Sequence, residues 1–202
     1  MARSIVIVGN GSFADADALV IDSCDLVIRF NDCRSVGDGG KRTDVVAVCN
    51  TGRPAAAMIG QPAWRNNSAV KNAGTILCVR EGTKFAELKQ QLAIQHPSLD
   101  DFCDDYTGEF ADFALNNGKN FTVIPRRFHD HTDLELRTLT PGSYIVPSSG
   151  LITIAYVVGE VAGPDDTVLL SGFSHRGWNG HPFDAERKLV ERLIDQGHVR
   201  RL

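Results

Sequence analysis

The run Ser4-Ile5-Val6-Ile7-Val8-Gly9-Asn10-Gly11-Ser12-Phe13-Ala14 decides the fold. Its first part holds four consecutive β-branched apolar residues. Such a run cannot alternate between a wet and a dry face, so Ser4–Gly9 reads as a strand buried on both sides. The glycines behind it mark a tight turn, and Ala14–Ile21 carries a helical signal. Strand, glycine turn and helix in that order open a parallel α/β sheet.

The same order repeats outward from this run. Asp25–Phe30, Asp44–Cys49, Thr75–Arg80, Phe121–Pro125 and Thr167–Gly172 read as further strands. Lys84–Ile94, Glu109–Asn116, Ser148–Val161 and Phe183–Gln196 read as helices. Within Lys84–Ile94, Phe85, Leu88 and Leu92 form a core-facing stripe at helical spacing. Gly197 is placed to end the last helix, and His198–Leu202 is expected as a closing edge strand. The expectation is a single α/β domain over residues 1–202, a Rossmann-like three-layer sandwich with a mainly parallel sheet. The stretch from about Pro97 to Pro141 is more polar and is expected as a less regular insertion or lid.

With 202 residues, 43% of them hydrophobic, the chain can build a core without metal or disulfide staples. A formal net charge of -4 gives no electrostatic case for binding a nucleic acid polymer. No apolar run approaches the about 20 residues of a membrane span. The apolar run near Met1 is also too short for a signal-peptide core. The five cysteines, at 24, 33, 49, 78 and 103, include no C-x-x-C pair. Cys24, Cys49 and Cys78 lie in or beside apolar runs and read as buried thiols, not disulfides or zinc ligands. A reducing cytoplasm is the expected compartment.

Four segments carry candidate chemistry. Gly9-Asn10-Gly11-Ser12-Phe13-Ala14 fits the G-x-G-x-x-A dinucleotide pattern, and Asp32 stands where a ribose-binding acid belongs. Gly9, Gly11, Ala14 and Asp32 therefore support an NAD(P)-dependent oxidoreductase reading, although any tight strand-to-helix turn favours glycine. Asn10 can both donate and accept hydrogen bonds. Arg29-Phe30-Asn31-Asp32 ends the second strand, which puts Asn10 and Asn31 at one crevice. Asn31 as a plain turn former is the alternative. Pro147-Ser148-Ser149-Gly150 precedes an apolar helix, and its hydroxyls and free N–H groups suit either an anion or a simple cap.

The fourth segment, Gly172 to Glu186, holds His175, Arg176, Trp178 and His181. His181 stands just before a helix start with Asp184 and Glu186 behind it, and histidine suits general-base work near neutral pH. Elsewhere, His129-Asp130-His131-Thr132-Asp133 has metal-ligating side chains, and an extended segment would put both histidines on one face. No third ligand stands at a recognisable spacing, so no metal is expected. Arg126-Arg127 either meets an anionic ligand or is solvated. The charges of Glu186–Arg192 read as a helix face.

Taken in order, these segments resemble the eukaryotic-type sialyltransferases, glycosyltransferase family 29. Val8–Gly11, Ile21-Asp22, Asp25–Asn31 and Gly40–Asp44 resemble the family's large sialylmotif. Val146–Leu151 through Val168, Gly172 and Phe173 resemble its small motif. His181-Pro182-Phe183-Asp184-Ala185-Glu186 is similar to its very-small motif, a His followed after four residues by Glu. The resemblance covers the first quarter and the last third of the chain.

It implies a GT-A-like variant of the sandwich and transfer of a sialyl-type sugar from a CMP-activated donor to an acceptor hydroxyl, with inversion and without metal or cofactor. Gly9, Asn10, Gly11 and Asn31 would hold the nucleotide, with Ser148, Ser149 and Gly150 on the nucleotide and donor carboxylate. His181 would be the base, with Arg29, Asp184 and Glu186 in support. The family's third motif has no clean counterpart, and His175 is the nearby candidate for its histidine. The family's disulfide positions fall on Ile5 and Asp165, so that bridge cannot form. The chain is also shorter than the family's catalytic domains, leaving less surface to grip an acceptor. Small bacterial chains of this kind are similar to urease-operon accessory proteins, so a non-catalytic accessory or nucleotide-binding role stands beside transfer.

Overall fold

The computed structural model describes residues 2–139 and 142–202. Seven strands form one sheet: β1 Ser4–Val8, β2 Leu26–Phe30, β3 Val45–Val48, β4 Thr75–Cys78, β5 Asn120–Val123, β6 Thr167–Ser171 and β7 Arg200–Arg201. Their order is β5-β4-β3-β2-β1-β6-β7, and every pair is parallel. The parallel α/β expectation therefore holds throughout the sheet. The chain first builds outward from β1 to β5, then returns to add β6 and β7 on the other side. The order thus reverses between β1 and β6, the place where an open α/β sheet leaves a crevice beyond its strand ends.

Nine helices connect the strands of the described residues: α1 Asp17–Ser23, α2 Gly52–Gly60, α3 Pro62–Asn66, α4 Ser68–Asn72, α5 Gly82–Gln95, α6 Thr107–Asn116, α7 Arg126–Arg137, α8 Ser149–Tyr156 and α9 Phe183–Asp195. A single π turn, Val157–Val161, prolongs α8. β1 shows why its apolar run is continuous. Ile5 and Ile7 pack with Phe128, Ile154 and Leu189 of α7, α8 and α9, whereas Val6 and Val8 pack with Ile21 of α1 on the opposite face. Further along that second face, Val46 and Ile76 meet Met58, Trp64 and Phe110 of α2, α3 and α6. All five cysteines are buried.

Several boundaries move. The first helix begins at Asp17, not Ala14, because residues 12–16 are needed to cross from β1. The segment expected as irregular is mostly regular: α6, β5 and α7 all fall within it, with β5 closing the sheet edge. Its polarity reflects one solvated face on each of these edge elements, while Phe110, Phe113, Phe128 and Leu136 point into the core. The far end of that expected segment, Pro141, lies outside the described residues. Arg126–Arg137 is a helix, so His129 and His131 do not share a face. His129 is buried with Nε2 bonded to the Val79 carbonyl at 2.9 Å, and His131 is exposed. The helical period thus separates the two histidines, which only an extended segment would bring to one face.

Candidate active site

A cleft of about 460 Å³ lies over the carboxyl ends of β1, β2 and β6. Gly9, Asn10, Gly11, Asn31, Ser148, Ser149, Gly150, His175, His181 and Glu186 all line it. Residues from the first thirty-odd positions and from the last third therefore meet at the sheet's reversal point.

On the amino-terminal wall the glycines are required by packing. A Cβ on Gly9 would sit 2.3 Å from the Gly172 carbonyl oxygen, and one on Gly11 2.7 Å from the same atom. Their N–H groups are also engaged, Gly9 with Ser171 O at 2.8 Å and Gly11 with Gly172 O at 2.7 Å. This close approach locks the β1 loop to the β6 loop. Asn10, between them, is exposed, and no hydrogen bond engages its side chain among the described residues. Asn31 adopts a left-handed backbone, φ 53, which asparagine tolerates better than most residues. Its side-chain oxygen accepts from Cys49 N at 2.8 Å, and its carbonyl accepts from Trp64 Nε1 at 2.9 Å. Asn31 is both the turn former and a cleft residue.

Part of the dinucleotide pattern is engaged within the fold. The seven-residue α1 starts late, and the Asp17 carboxylate already accepts from Ala14 N at 3.2 Å and from the Ser171 hydroxyl at 3.1 Å. A pyrophosphate would meet that negative charge. Asp32 is paired with Arg34 at 3.1 Å and does not line the cleft.

On the carboxy-terminal wall, Ser148 caps α8 by accepting from Leu151 N at 3.2 Å. Glu186 reaches across from α9 and accepts from Ser148 N and Ser148 Oγ, each at 2.6 Å. Glu186 is buried, and burial pushes its carboxyl above the usual range while the two Ser148 bonds act the other way. Its bonds fix the start of α8, while the Ser149 hydroxyl and the first N–H groups of the helix have no partner among the described residues. At Gly150 a Cβ would lie 2.9 Å from the Phe173 ring, which would have to shift to admit it.

His181 is held by three contacts. Its Nδ1 lies 2.8 Å from the Val146 carbonyl, and its ring is edge-on to Trp178 at 5.0 Å and to Phe183 at 5.3 Å. The loop reaches this position because Ile145 N donates to Gly180 O at 2.9 Å, drawing the 144–146 backbone alongside. A carbonyl can only accept, so Nδ1 carries the proton and Nε2 keeps its lone pair. No described residue engages Nε2. Burial, and secondarily the charge of Arg80, lowers the His181 pKa against the raising effect of the Val146 bond. The ring is therefore neutral and basic at Nε2 at pH 7.

His175 also lines the cleft, on a left-handed backbone with φ 49. Burial and the charges of Arg201 and Arg187 lower its pKa. Arg34 and Arg176 add two cations to the cleft wall. Arg34 is not among the residues the sequence singles out; the only signal is a cation just past a strand end. Two expected supporting residues lie elsewhere. Arg29 is fully buried and bonds Arg42 O, Thr43 Oγ1, Ser35 Oγ and Gly39 O, so it clamps the 35–43 loop beneath the cleft. Asp184 is exposed and pairs with Arg187 at 3.2 Å. Arg126 and Arg127 are taken up by Glu87 and Glu160, away from the cleft.

This combination of sheet order and cleft defines a sialyltransferase-like fold. A mammalian sialyltransferase crystallised with Gal-beta-1-3GalNAc-ortho-nitrophenol superposes with a TM-score of 0.61 at 18% identity, covering 100% of this chain and 69% of that one. A second structure of a mammalian sialyltransferase gives 0.58 at 18% identity over the same shares. At that identity the likeness is one of fold. No family model matches the sequence. The urease operon 23 kDa accessory protein of Rhizobium meliloti (strain 1021) is 50% identical over 200 residues, 99% of this chain and 93% of that protein. The chain belongs to the family of that accessory protein. Among the described residues, no helix is long and apolar enough to cross a membrane.

Proposed function

We propose that the protein is an inverting glycosyltransferase that takes a sugar from a CMP-activated donor, with His181 as the base. The observation that carries this reading is the fixed tautomer of His181, whose unengaged Nε2 belongs to a residue of the cleft wall. The acceptor hydroxyl gives its proton to Nε2 as its oxygen attacks the anomeric carbon. The bond from that carbon to the phosphate breaks through an oxocarbenium-like transition state. Charge gathering on the departing phosphate meets the start of α8, Ser149, Arg34 and Arg176. No metal ion is invoked in this scheme. Asn10 and Asn31 supply amide groups for the nucleotide, although Asn31 shares its oxygen with Cys49 N. His175, held neutral, contributes a hydrogen bond and not a proton to the leaving phosphate.

Family membership favours a second reading, an accessory protein that binds a nucleotide in this cleft without turning it over. Thermal-shift measurements with CMP, CMP-sialic acid, NAD and NADP separate the readings, because a ligand of the native state raises the midpoint by mass action. Stabilisation by CMP and its sugar conjugate is expected, with His181→Ala abolishing donor turnover and keeping CMP binding. Stabilisation by NAD alone removes the proposal. CMP binding without turnover of any donor moves it to the accessory reading.

A further inference from the structure

Arg80 follows β4 and is only 7% exposed, yet it has no ion-pair partner among the described residues. Its guanidinium lies over the Phe85 ring at 4.9 Å and the Phe102 ring at 4.5 Å, and Nη1 bonds the Thr51 hydroxyl. Among the described residues, Nε and Nη2 have no hydrogen-bond partner. Arg29, buried more completely, has four hydrogen bonds. Neither of these Arg80 nitrogens is sealed inside the protein, since Thr153 Oγ1 is the one fully buried side-chain polar atom without a partner among the described residues, so both are open to a ligand or solvent.

Arg80 lines a cavity of about 400 Å³, within the roughly 300–1,000 Å³ range of small-molecule sites. This cavity is walled by α5, α7 and the 142–147 segment and shares Ser149 with the cleft. Its acids are already neutralised. Glu87 is held at two distances of 2.7 Å by Arg126, and Asp133 accepts from Lys84 and from the Tyr144 hydroxyl, each at 2.8 Å. Among the described residues, Arg80 and Arg137 remain as cations without an acid.

We propose that this cavity is a second binding site, taking a small hydroxylated ligand that carries a carboxylate. The planar fork of Arg80 matches a carboxylate's two oxygens. Phe85 and Ile152 cover the ligand's carbon skeleton, and Gln91, Ser143 and Tyr144 meet its hydroxyls. Ser149 is common to both walls, so an occupant of the cavity would lie beside a donor in the cleft. An acceptor role for it rests on the transfer reading; the binding itself does not.

Isothermal titration of the full chain with glucuronate, glucose and inorganic phosphate tests the site. Glucuronate is expected to bind at least tenfold more tightly than glucose. Arg80→Gln should erase that preference, and Arg80→Lys, which keeps the charge without the fork, should weaken glucuronate several-fold. CMP affinity in both variants should stay within twofold, which reports that they are folded. Gln91→Trp, at the cavity rim, should block glucuronate with Arg80 intact, so the test survives if Arg80 variants fail to fold. Equal affinity for glucuronate and glucose in the wild type, or an undiminished preference in Arg80→Gln, overturns the site. Phosphate binding more tightly than glucuronate overturns the choice of a carboxylate. Glucuronate binding without CMP binding removes the transfer reading and leaves this site standing; the converse removes this site alone.

Discussion

On the amino-terminal wall of the cleft, Gly9 and Gly11 are pressed against the Gly172 carbonyl, and Arg29 is absorbed by the 35–43 loop. On the carboxy-terminal wall, Glu186 secures Ser148, while His181 keeps one nitrogen engaged and the other unengaged. Both walls carry motif-like residues, but most of those on the first wall are explained by packing. The fold explains the position of His181 but not its unengaged nitrogen. A glycine pattern can thus signal how two loops approach, and a polar atom left unused is the sharper mark of function.

The largest effect should come from testing the packing account. Gly9→Ala places a carbon within clashing distance of backbone that cannot swing aside, so about 3 kcal/mol of stability should be lost. Gly150→Ala meets the Phe173 ring, a side chain that can shift, and should cost about 1 kcal/mol. Urea midpoints at constant slope measure both. If Gly9→Ala keeps wild-type stability and loses only CMP binding, the first wall is functional after all and the contrast between the walls disappears.

Glu186 comes next. Glu186→Ala leaves the Ser148 N–H and hydroxyl without their acceptor in a buried place, a loss of about 2 kcal/mol. Glu186→Gln can keep one acceptor and reverse the other bond, so most of that loss should be recovered. The wild-type carboxyl is raised above its ordinary 4.5, so its linked stability is full below that pH and is lost as pH rises through the folded value. Glu186→Gln removes this dependence. Stability curves of the two proteins should therefore diverge on the alkaline side of pH 4.5, with the glutamine variant relatively favoured.

Strand runs and helix stripes made the architecture legible, since Ile5 to Val8 can be buried on both faces only in a covered sheet. The short helices α2 to α4 were not legible: Gly52, Pro54, Gly60 and Pro62 within about ten residues look like loop, and only packing of Met58 and Trp64 makes them helical. In the site, His181, Ser149 and Asn10 could be named because they follow strand ends or precede helices. Their nearness to one another came only through the resemblance, because strand order is set by long-range pairing that spacing does not show. Arg80 was equally hidden. In sequence it ends an ordinary apolar strand, and its missing acid is visible only once its neighbours are known.

A smaller effect is expected at His181. Its pKa lies below the usual 6.5, so its linked stability is present above 6.5 and lost as pH falls through the lowered value. Nitrogen chemical shifts should show the proton on Nδ1 at pH 7 and an inflection below 6.5. Donor turnover, where present, should fall on the acid side with the same inflection. A proton on Nε2, or an inflection above 6.5, removes the base assignment while leaving the cleft itself untouched.

The smallest effect separates two acids that sit close together on α9. Asp184 and Glu186 both follow His181, yet Asp184 is exposed on the first turn and pairs with Arg187 at 3.2 Å, whereas Glu186 is buried against Ser148. An exposed pair of this kind is screened by solvent and loses side-chain freedom when it forms, so it contributes little. Removing a first-turn acid also weakens a favourable contact with the helix dipole, again by a small amount at an exposed position. Asp184→Ala should therefore move Tm by less than about 2 °C and leave CMP affinity unchanged, while Glu186→Ala changes both. If the two substitutions weaken CMP binding equally, Asp184 acts on the ligand directly, and the division between residues that build the carboxy-terminal wall and residues that face the cleft must be redrawn around it.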